Sequence, residues 1–398
     1  MFADLPQRIL EHLERNRATM TELLERLVSQ ESPSHDPASL RSMLNLLAEA
    51  FAQRGFRPSI LTGKQSGGML LAVPRHRPRP RPYQLVLGHC DTVWPLGTLQ
   101  SMPIRTEDGV FWGPGSYDMK AGLVQGLFAI GALSAVSAHA PPVTPVFFVN
   151  SDEETGSHES TRVIRRLARH ADRCLVLEPS LGPQGSLKTA RKGVGRFTIT
   201  VRGKAAHAGL DPGQGASAIL ELSLVVQELF ALNDPARGVT VNVGTIDGGL
   251  SPNMIAPQSS ATVDVRVPTQ EDAVRVEALI RGIQAHTPGT RIEIRGGIGR
   301  PPMERTGRNQ RLWQLAERCA REIGIQITQA AAGGGSDGNT TSQLAPTLDG
   351  LGAVGAGAHA VNEHLALDKM IERAALLGSL LACPPLDVAV PRKPLEAG

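Results

Sequence analysis

A chain of 398 residues is long enough for two domains, each with a core of its own. Its 41 Lys and Arg nearly balance its 38 Asp and Glu, and a net charge of +3 gives no general argument for a nucleic-acid partner. Cys90, Cys174, Cys319 and Cys383 form no CxxC pair and read as reduced, mostly buried thiols of a cytoplasmic protein. The first twenty residues are charged throughout and carry no apolar leader core.

Leu5, Ile9, Leu13, Leu23, Leu24, Leu27 and Val28 fall at helical spacing and predict an amphipathic helix, or a broken pair, over 5–29. Ser32-Pro33-Ser34 ends it, and a second helix over 37–55 closes at Gly55. Strands follow at 57–62 and 68–73. The basic run PRHRPRPRP (74–82) offers either an anionic-partner site or a solvated connection that proline holds extended. With no aromatic interleaving, the second reading is preferred.

A short apolar strand at 85–87 stops at Gly88, with His89, Cys90 and Asp91 at its end. Side chains alternate across a strand, so His89 and Asp91 share a face. Gly113, Pro114 and Gly115 make a turn that delivers Asp118 to a helix over 121–138. That helix is nearly long enough to cross a bilayer, but its Ala, Gly and Ser content suits burial against a sheet. A strand at 143–150 ends in SDEETGS; a helix near 160–170 leads to a strand at 174–177 that ends in Glu178-Pro179. This alternation predicts an α/β domain with a mostly parallel mixed sheet flanked by helices. Its acidic and His residues fall at the carboxyl ends of strands, where such sheets bind ligands.

From 187 the pattern becomes strand 194–201, helix 216–232, strands 239–246 and 261–267, helix 271–286 and strand 291–295. This is the order of an α+β ferredoxin-like sandwich. The expected organisation is a catalytic domain over 1–186 and 299–398, interrupted by an inserted lid or dimerisation domain over 187–298. A helix at 310–323, the glycine-rich 333–339, a strand at 347–353, GAGAHAVNEH and a last helix at 368–381 return the chain to the first domain.

His89, Asp91, Asp118, Glu153, Glu154, Glu178 and His359 collect at strand ends and loops. Two His and three carboxylates suit two zinc-type ions that share one carboxylate. Neighbours in an extended backbone point apart, so of Glu153 and Glu154 one can ligate metal while the other reaches water.

The motifs LGHCDTV, GPGSYDMKAG, SDEETGS, LEPS, GKAAHAG and GAGAHAVNE together resemble the M20 metallopeptidase family, in particular its glutamate-carboxypeptidase branch. The resemblance implies a zinc-dependent hydrolase that cleaves an amide bond to release a C-terminal or N-acylated amino acid. An N-acyl amino acid deacylase or dipeptidase on the same scaffold is the alternative. It implies two zinc ions, replaceable by cobalt or manganese, on His89, Asp118, Glu154, Glu178 and His359, with Asp118 shared. Asp91 would hold the second nitrogen of His89, and Glu153 would be the general base toward a metal-shared water. The family's last ligand is a His followed four residues later by Glu, which selects His359 with Glu363 and leaves His364 aside. His207 would stabilise the oxyanion in a partner subunit. Apolar residues nearly all round the 216–232 helix suggest either a well-buried core helix or a homodimer through the inserted domain, the reading adopted here. Asn253, Arg266 and Arg300 match family positions near the substrate carboxylate, which Arg grips well. The loop with Gly334 and Ser336 would line the pocket. Ala256 and the set Lys188, Arg191 and Lys192 depart from the glutamate-specific pattern, so the side-chain preference stays open. A cis peptide between Asp118 and Met119 is also implied. The expected partners are a small peptide or N-acyl amino acid and a second copy, with neither nucleic acid nor membrane.

Overall fold

The computed structural model describes residues 4–76 and 82–386. Residues 77–81 of the basic run and most of the tail lie outside the described residues. Two compact units emerge: Met1–Thr189 with Arg305–Ala330 and Ser336–Gly398, and Ala190–Glu304 with Ala331–Gly335.

The first unit is built on a six-stranded sheet in the order Phe56–Leu61, Met69–Pro74, Thr144–Asn150, Tyr83–His89, Arg173–Val176 and Thr347–Leu348. The first two pairings are antiparallel and the other three parallel. Every residue of Thr144–Asn150 and nearly every one of Tyr83–His89 is buried, as strands covered on both faces require. The covering layer includes the apolar helix Ala121–Val136, packed against Leu367–Ala382 and Leu5–Arg15. Ser116–Val136 is the one stretch, among the described residues, long and apolar enough to cross a membrane, and 78 % of its most apolar window is buried.

The second unit has the sheet order Thr240–Gly248, Gln258–Val267, Gly193–Arg202 and Arg291–Arg300, antiparallel throughout. Buried and more exposed residues alternate along Gly193–Arg202 and Gln258–Val267, the mark of a sheet with one covered face. Helices Ala218–Ala231 and Gln270–Arg281 supply the cover.

Some elements differ from expectation for local reasons. The first helix breaks at Asn16, whose Nδ2 donates to His12 O at 2.7 Å, giving Leu5–Arg15 and Arg17–Ser29. The strand expected over 347–353 shortens to Thr347–Leu348, because Gly350 turns the chain at φ 78° and buried Asp349 accepts from Ser336 Oγ at 2.6 Å. A small sheet of Gly355–Ala356, His364–Ala366, Val110–Trp112 and Arg105–Glu107 has strands too short to show a period in sequence.

Arg173 ties the sheet to the last helix. Its buried guanidinium donates to Gln84 Oε1 at 2.9 Å and to the carbonyls of Leu380, Cys383 and Pro384 at 3.1, 2.9 and 2.8 Å. It thus serves carbonyls that a helix end leaves unpaired. Arg173→Met should destabilise the protein by about 3–5 kcal/mol in urea unfolding, since the acceptors stay buried without donors. A loss below about 1 kcal/mol would contradict this account.

Candidate metal centre

Parallel pairing aligns the carboxyl ends of neighbouring strands, and the chemistry-bearing residues sit there. His89 ends its strand opposite Asn150, Glu153 and Glu154 follow in the turn beyond, and Glu178 lies just past Arg173–Val176. Gly88 leaves room one residue earlier for the ends of two side chains, since a Cβ there would meet Met119 Cε at 2.7 Å and Leu123 Cδ2 at 2.9 Å. Met119 Sδ in turn accepts from His89 N at 3.3 Å. Asp118 arrives on a bent turn, Ser116–Lys120, in which Asp118 (φ −114°, ψ 94°) and Met119 (φ −132°, ψ 36°) leave helical geometry, and the bond between them is cis.

The two carboxylate oxygens of Asp118 face different histidines. Oδ1 lies 3.3 Å from His89 Nε2, and Oδ2 lies 3.6 Å from His359 Nε2. His89 Nε2 is also 3.6 Å from Glu178 Oε1, and His359 Nε2 is 3.2 Å from Glu154. Ligands about 2.0–2.2 Å from one tetrahedral ion stand roughly 3.3–3.6 Å from one another. The distances from each imidazole, 3.3 and 3.6 Å at His89 and 3.6 and 3.2 Å at His359, lie close to that spacing, and Asp118 and Glu154 also group with His89, with ligand-type atoms within 4.8 Å of one another. Asp118 Oδ1 is buried, and its close polar neighbour is the His89 ring at 3.3 Å, out of line for a well-formed hydrogen bond, so a cation would satisfy it better. Glu153 groups with His89 and Glu178, with ligand-type atoms within 4.8 Å of one another.

Asp91 is fully buried and holds two things. His89 Nδ1 lies 3.0 Å from the Asp91 carbonyl and 3.4 Å from its carboxylate, so the backbone oxygen, more than the side chain, fixes the ring. The carboxylate accepts from Ser34 Oγ at 2.9 Å and from the amides of Glu153 and Glu154 at 3.2 and 3.1 Å. Its greater part is therefore to set the turn that presents the two glutamates.

Burial and close imidazole–carboxylate pairs shape the titration of this cluster. Burial opposes protonation of His89, but its bonds to Asp118 and Asp91 outweigh burial and hold its pKa well above the usual range. The bond to Glu154 pushes His359 up to about 9. Burial raises Glu154. Burial also works to raise Asp118, but the His89 bond and charge bring it below the ordinary carboxylate value. His359 itself holds a left-handed backbone (φ 60°), a strained conformation of the kind that clusters at active sites.

Of the remaining expected site residues, His207, Asn253, Arg266, Arg300 and Gly334 belong to the second unit and Ser336 to the first. His207 and Asn253 come together in the second unit: His207 bridges Met254, and Ala208 N donates to Asn253 O at 3.0 Å. His207 Nδ1 accepts from Gly209 and Leu210 amides, both at 3.1 Å, so its neutral ring carries the proton on an exposed Nε2. Arg266 and Arg300 flank Val194 at the opposite end of that sheet, and Arg266 grips Asp264 at 2.8 and 3.0 Å. The strand Gln258–Val267 separates the two ends by roughly 26 Å at about 3.3 Å per residue. Gly334 O accepts from Arg191 at 3.0 Å. Ser336 is buried, its hydroxyl engaged with Asp349 and with Gly338 N at 2.9 Å, so it shapes its loop. At the sequence level Glu363 serves only to locate His359; in the fold it is a buried acceptor beneath the Asp118 turn, and the fixed His-to-Glu spacing was the signal for it.

The chain matches Peptidase family M20/M25/M40 over residues 85–382. Carboxypeptidase G2 of Pseudomonas sp. (strain RS-16) is 28% identical over 343 residues, covering 84% of this chain and 82% of that one. Succinyl-diaminopimelate desuccinylase of Dechloromonas aromatica (strain RCB) is 27% identical over 382 residues, covering 91% and 98%. Among solved structures, aminopeptidase PepT of Bacillus cereus ATCC 10987 shares the fold at a TM-score of 0.74 and 20% identity, covering 92% and 98%. With three quarters of its length matched and a centre built of His and carboxylate ligands, this chain belongs to Peptidase family M20/M25/M40 and is a metallohydrolase enzyme.

Proposed function

We propose that this enzyme is a dizinc hydrolase that cleaves an amide bond to release a C-terminal or N-acylated amino acid. The observation that carries the reading is Asp118, whose two oxygens each face a different imidazole with its own glutamate. His89 and Glu178 would hold one ion, His359 and Glu154 the other, and Asp118 both. When bound, the ions supply an acidified water and polarise the amide carbonyl. Glu153 takes the proton of the attacking water and returns it to the leaving amine. A carboxypeptidase and a desuccinylase among the relatives support an amide substrate that carries an amino acid. A panel of folate-type glutamate conjugates, N-acyl amino acids and dipeptides, assayed with added zinc, tests this; activity on none of them would overturn it.

Asp118→Ala should lose both equivalents of zinc together, measured by metal analysis after dialysis. Glu153→Gln should keep both ions while turnover falls about 10²–10⁴-fold, whereas Glu154→Gln should lose metal. Equal metal content in the two Glu variants would refute the division of roles.

The sign of a pH effect also follows. In the metal-free protein His359 has its pKa raised from 6.5 to about 9 by Glu154, so its contribution to stability is complete below about 6.5 and is lost as pH rises through about 9. Zinc needs the neutral ring, so zinc affinity should climb across the same window with proton release. Calorimetry in buffers of different ionisation enthalpy reads this directly, and a pH-independent affinity from 6.5 to 9 would contradict it.

The second unit supports a homodimer. Helix Ala218–Ala231 leaves Ile219, Leu220 and Phe230 about half exposed (48%, 53% and 48%), beside the edge strand Thr240–Gly248. The exposed Nε2–H of His207 suits an oxyanion donor, and its distance from Arg266 and Arg300 within one copy supports its service to another copy. Mixing His207→Ala with Glu153→Gln subunits, each inactive alone, should restore one working site per mixed dimer. No recovery after confirmed exchange would place His207 outside the partner's chemistry.

A further inference from the structure

Glu363 is 1% exposed, and four N–H groups converge on its carboxylate. Oε2 accepts from Gly115 N at 2.7 Å and from Trp94 Nε1 at 3.0 Å. Oε1 accepts from Tyr117 N at 2.9 Å and from Asp118 N at 3.0 Å. The Glu363 carbonyl also accepts from Gly113 N at 3.3 Å. Three of these side-chain bonds go to the one turn that carries Asp118. They are charge-assisted, and are therefore stronger and more directional than bonds to a neutral acceptor.

The other end of Glu363 is fastened to the His359 loop. Ala360 N donates to Gly357 O at 2.9 Å and Glu363 N to Ala360 O at 3.0 Å, which winds 357–363 into two tight turns. Gly357 has φ 83°, and a Cβ there would meet Asn362 O at 2.9 Å, so only glycine lets this loop close. A single carboxylate thus joins the turn that carries Asp118 to the loop that carries His359.

We propose that Glu363 is a positioning residue of the metal centre: it sets Asp118 against His359 and so tunes how tightly the centre holds its ions. The proposal rests on the two-metal reading above. A glutamine cannot replace it, because its amide nitrogen would face two N–H donors whichever way it turns.

The test is zinc affinity by competition with a chromophoric chelator, alongside circular dichroism, melting of the metal-free protein and the visible spectrum of the cobalt form. Glu363→Gln should keep its fold and weaken zinc binding by about 10–100-fold at both steps, with an altered cobalt spectrum. Trp94→Phe, which removes one of the four donors, should weaken zinc binding by a smaller factor. A folded Glu363→Gln with wild-type zinc affinity and cobalt spectrum would overturn the proposal. Should Glu363→Gln not fold, Glu363→Asp and Trp94→Phe decide, and wild-type affinity and spectrum in both would overturn it. Failure of the two-metal reading looks different: the wild type itself would take up neither zinc nor cobalt, and both proposals would fall.

Discussion

Three carboxylates meet two imidazoles at the sheet's carboxyl edge, and holding these five groups within reach of one another is the constraint to which the surrounding structure answers. Without ions the neighbouring carboxylates favour the protonated rings, which is why His89 and His359 are both shifted upward. Two further buried acids stand just behind, Asp91 and Glu363, and each is stabilised by backbone amides. Amides offer partial positive charge with no ionisable group of their own, so they hold an acid in place and leave the ligands free for cations. A division results: acids facing the centre are matched by protons or metal, and acids behind it by the backbone.

That arrangement needs a rigid frame, and parallel pairing supplies it. Strands buried on both faces cannot slip register without exposing apolar side chains, so the ends of Tyr83–His89, Thr144–Asn150 and Arg173–Val176 stay aligned. Close approach is part of the frame as well. Gly122 begins the apolar helix with space for no Cβ, since Leu177 O would lie 2.2 Å away. The helix therefore seats against the strand segment that leads to Glu178, and sheet, helix and ligand become one packed object. Arg173 clamps the far end of that sheet to the helix Leu367–Ala382.

Much of this was legible because period and punctuation are strong in the sequence. The run ending at Gly88, the GPG turn before Asp118 and the Glu178-Pro179 stop each mark a strand end or loop, and ligand-type residues follow them. The order of strands and helices in the second unit could also be read directly. Less legible was anything set by contacts distant in sequence. Nothing local in HCD says that the Asp91 carbonyl, more than its carboxylate, meets the His89 ring, since that depends on how the chain turns after the strand. The split of Arg266 and Arg300 from Asn253 became visible only when antiparallel register laid Gln258–Val267 along Gly193–Arg202. The bond of Ser336 Oγ to buried Asp349 is likewise a contact that no local pattern announces.

The second unit presents an edge that a soluble sheet ordinarily hides. Thr240–Gly248 is an edge strand with most of its residues exposed, Ile246 among them at 61%. Unprotected edges invite open-ended pairing, and proteins blunt them with bulges and charges. This edge carries both: its register shifts between Val243 and Thr245, and Asp247 stands next to the turn. Such a strand can pair over a limited length with an identical strand related by a two-fold axis, where the bulges coincide and the pairing closes on itself. Extension into longer assemblies would need a second compatible edge. The opposite edge, Arg291–Arg300, also breaks register, between Ile298 and Arg300, and mixes Arg291, Arg295 and Arg300 with Glu293, so it is blunted by the same two devices.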